Sequence, residues 1–244
     1  MFESLLSSIQ SQSVSMVNQE SVKMVDSKAM HQDLIMNPTP RCACSIVLDT
    51  SGSMSGAPIQ ALNEGLKMFF ADVQNDEMAQ YSVEVGVVET GGGVTEAMPV
   101  TPIRLVEDVP QFAARELTPL GRAVEVALDQ LEARKEEYKR TGVPYYQPWL
   151  VIISDGAPTD SWKAVAQRAK SLADNRKLVV LPVGVEGADL EVLSQFSSRG
   201  AKALNGLKFK ELFEWLSASM AQVSNSASTS ASVSLPPTAG WDVI

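Results

Sequence analysis

Residues 41–56 read RCACSIVLDTSGSMSG. From Cys42 to Leu48 the residues are small or β-branched and apolar almost throughout. A strand wet on one face alternates apolar and polar side chains. A run without that alternation reads as a strand covered on both faces, the kind found inside a parallel sheet. At Asp49 the texture reverses within one residue, and Thr50, Ser51, Ser53 and Ser55 follow with glycine at 52 and 56. A plain turn needs one or two such residues. Asp49, Ser51 and Ser53 alternate, so several oxygens can converge on one point.

Downstream, APIQALNEGLKMFFADVQ places Ile59, Leu62, Leu66, Phe69, Phe70 and Val73 at helical spacing, with Pro58 as an early helical residue. YSVEVGVVE reads as a strand, and Gly91-Gly92-Gly93 permits a tight reversal into an antiparallel strand, VTEAMPV. That glycine run is not a phosphate loop, since no Lys-Ser or Lys-Thr follows it. ELTPLGRAVEVALDQLEARKEEYKR is the longest helix, with Thr118 as a candidate cap, Pro119 as first helical residue and Gly142 ending it. WLVIIS and KLVVLPVGV are further buried strands. DSWKAVAQRAKSLAD is a helix with Asp160 or Ser161 as cap; DLEVLSQF is a short helix, AKALNG an edge strand and FKELFEWLSASMAQVS the closing helix. This alternation predicts an α/β fold in three layers: a six-stranded, mostly parallel sheet with one antiparallel edge strand and helices on both faces. CSIVLD is expected at its centre with WLVIIS as neighbour.

The expected organisation is an N-terminal arm over 1–38, one domain over 39–224, and a flexible Ser/Pro-rich tail over 225–244. In the arm, Leu5, Ile9, Met16 and Val17 line a weak helical pattern. Trp241 reads either as a docking anchor or as a stray exposed aromatic. The net charge of -9 repels phosphate backbones and argues against nucleic-acid binding. No apolar run approaches the ~20 residues of a membrane span, and the N-terminus makes a poor secretory signal, so the expected location is cytoplasmic. Cys42 and Cys44 read as small buried strand residues. With His31 the only histidine, a His/Cys zinc site and a Ser-His-Asp hydrolase both lack their parts.

In an open parallel sheet, functional groups gather outside the carboxyl ends of the strands. Three polar clusters fall at such places: Asp49, Ser51 and Ser53; Thr118 ahead of the long helix; and Asp155 after WLVIIS. Each also has a plain reading, as turn chemistry, a helix cap and an Asp-Gly turn. Together they resemble the metal-ion-dependent adhesion site of von Willebrand factor A domains. LDTSGSMSGAPIQALNEGL, LTPLGRAVEVAL, ISDGAPTDSW and FKELFEWLSAS are similar to the bacterial TerY type of that family, named for tellurium-resistance operons. The resemblance covers residues 41 to about 224 and implies a Rossmann-like domain. Two positions depart from the family pattern: Val88-Glu89 stands where Phe-Asp is common, and Glu116-Leu117 where a glycine often precedes the threonine.

The resemblance implies a divalent cation at Asp49, Ser51, Ser53, Thr118 and Asp155, with the three hydroxyls as direct ligands and the carboxylates acting partly through water. Hard cations take oxygen ligands, and so few carboxylates favour Mg2+ or Mn2+ over Ca2+. A partner protein's Asp or Glu would complete the shell. The expected function is a non-enzymatic interaction module in a bacterial stress-response or defence system, its partner a kinase, phosphatase or other operon-encoded component. The alternative is an Mg/Mn-dependent hydrolase or phosphatase, with Glu89 or Glu116 as base.

Overall fold

The computed structural model describes residues 26–115, 118–155, 158–238 and 240–242. Strands β1 (Cys42–Leu48), β2 (Val83–Glu89), β3 (Thr95–Pro102), β4 (Trp149–Ser154), β5 (Val179–Gly184) and β6 (Lys202–Ala203) form one sheet of order β3-β2-β1-β4-β5-β6. All neighbours pair in parallel except β2 with β3, which is antiparallel at the edge. The strand order reverses between β1 and β4, which pair from Cys44↔Trp149 to Leu48↔Ile153. That boundary is where an open α/β sheet leaves a crevice beyond its carboxyl ends.

Helices α1 (Ser27–Met36), α2 (Ala57–Asn75), α3 (Ala79–Ser82), α4 (Leu120–Thr141), α5 (Lys163–Asp174), α6 (Leu190–Ser194) and α7 (Phe209–Ser224) flank the sheet, with 3-10 turns over Gly52–Met54 and Ile103–Leu105. Residues of β1 divide by parity, as a pleated strand requires. Cys42, Cys44, Ile46 and Leu48 pack with α2 and α7, through Leu66, Phe69, Phe213 and Leu216. Ala43 and Val47 pack on the other face with α4 and α5, through Val124, Leu128 and Ala166. Two cores on one strand account for its unbroken apolar run. Gly65 allows the close approach of α2 and α7, since a Cβ there would lie 2.7 Å from the Phe213 ring.

Two expectations need correction. Tyr81 and Ser82 belong to the one-turn helix α3, and β2 starts at Val83. The Asp160 side chain does not cap α5. It accepts from Gly121 N at 2.9 Å and Arg122 N at 2.8 Å, and so caps α4, the helix assigned to Thr118. Trp162 stands at the N-cap of α5 and makes no side-chain cap bond. The pattern at Leu5, Ile9, Met16 and Val17 lies outside the described residues.

At the amino ends of the strands sits a buried ionic cluster. Arg41 pairs with Asp33 of α1 at 3.0 Å and with Glu84 of β2 at 3.5 Å. Glu84 also receives Arg134 at 2.5 Å and the Tyr138 hydroxyl at 2.6 Å. Burial, then the Glu84 charge, raise the Tyr138 hydroxyl well above the usual phenol range. Arg104 joins Asp33 from the far side, so α1 is tied to the sheet through its one buried carboxylate.

The chain's last described residues return to the core. Trp241 is 2 % exposed and meets Trp215 edge-on, with ring centroids 5.5 Å apart. Trp215 Nε1 donates to the Pro236 carbonyl at 2.8 Å, and Asp242 accepts from Lys202 at 2.6 Å. Of the two readings of Trp241, the anchor holds. The low-complexity composition of the segment gave no sign of these contacts.

Candidate metal centre

β1 and β4 end side by side, and the Asp49 N–H donates to the Ile153 carbonyl at 2.8 Å. This delivers Asp49 and Asp155 to the same end of the sheet. Asp49 Oδ1 accepts from the Ser51 N–H at 2.9 Å, which closes the turn into a short 3-10 helix over Gly52–Met54. Asp49 Oδ2 accepts from the Ser154 hydroxyl at 2.6 Å. The Ser51 and Ser53 hydroxyls lie 2.9 Å apart, and Ser53 donates to Asp155 Oδ2 at 2.6 Å. Asp49, Ser51, Ser53 and Asp155 are therefore one hydrogen-bonded chain spanning two loops.

Thr118 is buried just ahead of α4. Its carbonyl accepts from the Thr159 N–H at 2.9 Å, and the Arg115 N–H donates to the Thr50 carbonyl at 2.7 Å. The segment carrying Thr118 is thus stitched on one side to the Asp49 loop and on the other to the loop after β4. With Asp160 capping α4, Thr118 is not needed as its cap.

Sequence reasoning did not find Ser154 or the role of Asp160, because each acts on a residue far along the chain. It noted Glu89 only as a departure and a possible base. Glu89 is buried and accepts from the Thr50 hydroxyl at 2.9 Å, which holds the first loop against β2. Gly91 permits that closeness, since a Cβ there would stand 2.1 Å from Thr50 Oγ1. Glu116 lies outside the described residues. His31 is exposed on α1.

Burial raises the Asp49 carboxyl above its ordinary range. The Ser154 and Ser51 hydrogen bonds oppose the rise, and the Asp155 charge adds to it. Both Asp49 oxygens are held by neutral donors. A buried carboxylate beside a second carboxylate is a place where a cation relieves both desolvation and repulsion. The donors in the chain are all oxygens, which suits a hard divalent ion. Among the described residues no three His, Cys, Asp or Glu side chains gather to hold a metal, so a cation here would need the hydroxyls as ligands.

Comparison with known proteins places the fold. The von Willebrand factor type A domain family matches residues 45–214. No curated protein sequence matches the chain. Among solved structures, proximal thread matrix protein 1 from the mussel byssus is similar at a TM-score of 0.51 and 16% identity, over 76% of this chain and 49% of that one. The ArnB paralog VWA2 from Sulfolobus acidocaldarius is similar at 0.50 and 14%, over 74% of this chain and 45% of that one. The pilus adhesin SpaC from Lactobacillus rhamnosus GG, in its open conformation, gives 0.56 and 14%, over 75% and 30%. The chain thus matches about half the length of the first two and under a third of the last. At these identities the likeness concerns the fold. Domains of this type commonly mediate metal-dependent protein interaction. The sheet order and the match over 45–214 agree: the chain belongs to the von Willebrand factor type A domain family.

Proposed function

We propose that this chain is a metal-dependent protein-interaction module. A divalent cation bound by Asp49, Ser51, Ser53, Thr118 and Asp155 would take a carboxylate from a partner protein as its remaining ligand. The observation that carries this reading is the hydrogen-bonded run from Ser51 through Ser53 to Asp155, which gathers oxygens of two loops into one group. The bound ion would supply a Lewis-acidic position for that carboxylate. Ser51 and Ser53 would offer hydroxyl lone pairs, while Asp155 accepts the Ser53 O–H hydrogen bond. Asp49, held at both oxygens, would act partly through water. Neutral hydroxyl ligands leave much of the cation's charge unquenched, which favours an anionic partner group.

Mg2+ or Mn2+ is the proposed ion. Proximal thread matrix protein 1 has been solved with a zinc-occupied MIDAS motif, so Zn2+ belongs in the same titration. Residues 39–224 form the proposed module, flanked by the arm 1–38 and the tail 225–244. The likeness to the TerY type supports a cytoplasmic role in bacterial stress response or defence, tellurium resistance included, with a kinase, phosphatase or other operon product as partner. No helix among the described residues is long and apolar enough to cross a membrane.

Calorimetric titration with Mg2+, Mn2+, Ca2+ and Zn2+ tests the ion. Binding should be lost in Asp49→Ala and Thr118→Ala with the fold retained by circular dichroism. Pull-down from a bacterial lysate with and without EDTA then tests the partner. Equal metal affinity in wild type and Asp49→Ala would overturn the site, and a partner retained in EDTA would overturn the mode of binding.

A further inference from the structure

At the pole opposite Asp155, where β4 and β5 begin, α4, α5 and residues 229–235 enclose a groove of about 900 Å3. The six residues of β4 separate it from the metal loops by about 20 Å. Lys135, Lys139 and Arg168 line it and are balanced by Glu132, Glu136 and Asp129. Arg176, Lys177 and Arg199 also line it; they are exposed and make no ion pair among the described residues. Glu132 is the only carboxylate among the described lining residues. A chain of net charge -9 thus carries a concave surface of opposite sign. Its apolar lining includes Tyr146, Trp149, Val179 and Leu235.

Arg176 adds an independent observation. It is the one non-glycine among the described residues with positive φ, at 54°. Its N–H donates to the Ala173 carbonyl at 3.0 Å, and the Lys177 N–H to the Leu172 carbonyl at 2.8 Å. This is the reversal that ends a helix, and its left-handed position favours glycine. An arginine there strains the backbone and adds a guanidinium to the groove.

The cations are spread over several elements rather than focused on one point. α4 and α5 point their carboxyl ends toward this pole, so no fan of backbone N–H groups cradles a compact phosphate. A chain with spaced carboxylates and one large apolar side chain matches both the charge and the apolar lining. We propose that this groove binds an acidic polypeptide segment through its carboxylates and an apolar anchor, independently of the metal site. The proposal goes beyond the metal-dependent reading and gives the module a second docking surface. Salt screening confines the repulsion of the distant acidic surface to about 8–10 Å, so the groove's own charges dominate at contact.

The test is fluorescence anisotropy in EDTA with a labelled peptide of spaced glutamates around one central tryptophan. The wild-type chain and Thr118→Ala should bind it equally, and added salt should weaken binding. The double variant Lys177→Glu, Arg199→Glu should weaken it at least about tenfold. Arg176→Gly should also weaken it while raising the thermal midpoint, which separates lost charge from lost folding. The same peptide with glutamines should fail to bind. Unchanged affinity in the charge-reversed variant, equal binding of the glutamine peptide, or preference for a short inorganic polyphosphate over the peptide would each overturn the proposal. Binding that vanishes in EDTA would assign the peptide to the metal loops and overturn it as well.

Discussion

Ser154 holds Asp49. Its hydroxyl, the last of β4, donates to Asp49 Oδ2 at 2.6 Å, across the two strands that flank the reversal of strand order. The other Asp49 oxygen is taken by the Ser51 N–H, so the carboxylate has one orientation. Removing the hydroxyl in Ser154→Ala should lower divalent-cation affinity about tenfold while the fold is kept, the usual scale for a group that orients a metal-site residue. Calorimetry with Mg2+ and Mn2+ reads the change. An affinity equal to wild type would mean that the Ser51 bond suffices to orient the carboxylate.

Asp160 caps α4 through Gly121 and Arg122. Asp160→Ala should cost about 1 kcal/mol, the ordinary effect of losing an N-cap. Thr118→Val, which removes the Thr118 hydroxyl and leaves the Asp160 cap in place, should lose much less. Urea unfolding of the two variants distinguishes them, and a larger loss in Thr118→Val would return the cap to Thr118.

Glu84 is the shared partner of Arg41, Arg134 and Tyr138 in the buried cluster. Glu84→Ala leaves two guanidinium groups buried without it, and should cost about 3–5 kcal/mol. Glu137 also pairs with Arg134 but stands half in solvent, and its alanine variant should cost less than about 1 kcal/mol. Comparable losses in chemical denaturation would show that the cluster is hydrated in solution.

Trp241 packs into the core beside Trp215. Trp241→Ala should cost about 3–5 kcal/mol, as for a buried aromatic removed from any core. The variant should also expose Trp215 to water and red-shift the tryptophan emission. Wild-type stability after this change would show that the return of the chain contributes nothing to the fold.

Cys42 and Cys44 are free, buried thiols on one face of β1. Burial, with a smaller contribution from Glu84, pushes the Cys42 thiol up to about 12. Because the folded state keeps a proton that the unfolded state releases near 9, this stabilisation is complete below that pH. It is lost as pH rises from about 9 toward 12, at about 1.4 kcal/mol per unit for Cys42 alone. In the native state neither thiol should react with iodoacetamide near pH 8, and both should react in denaturant. Labelling of the native chain at the unfolded rate would refute the burial.

Much of the fold is written locally. The unbroken run from Cys42 to Leu48 demands cover on two faces, and the spacing of Ile59, Leu62, Leu66 and Phe69 demands a helix with one buried side. Asp49, Ser51 and Ser53 are two residues apart, so one turn brings them together whatever the rest of the chain does. That is why the sheet, its helices and the first loop of the candidate site were legible from periodicity and turn chemistry.

Other features needed the packed chain. Ser154 looks like any strand end until β4 lies beside β1, and Asp160 looks like the cap of its own helix until α4 presents its free N–H groups to it. Trp241 follows a segment whose composition suggests disorder, yet its ring fills space that only α7 and the sheet together leave open. The basic groove draws on α4, α5, the loop after α6 and the returning chain, while the net charge sums them with acids elsewhere. Backbone preference and apolar period act over a few neighbouring residues, so the sequence by itself determined the elements and the first loop. Hydrogen bonds and charge act through space within a few ångströms, so the partners across elements, and the sign of each surface, were decided only when the tertiary structure made distant residues neighbours.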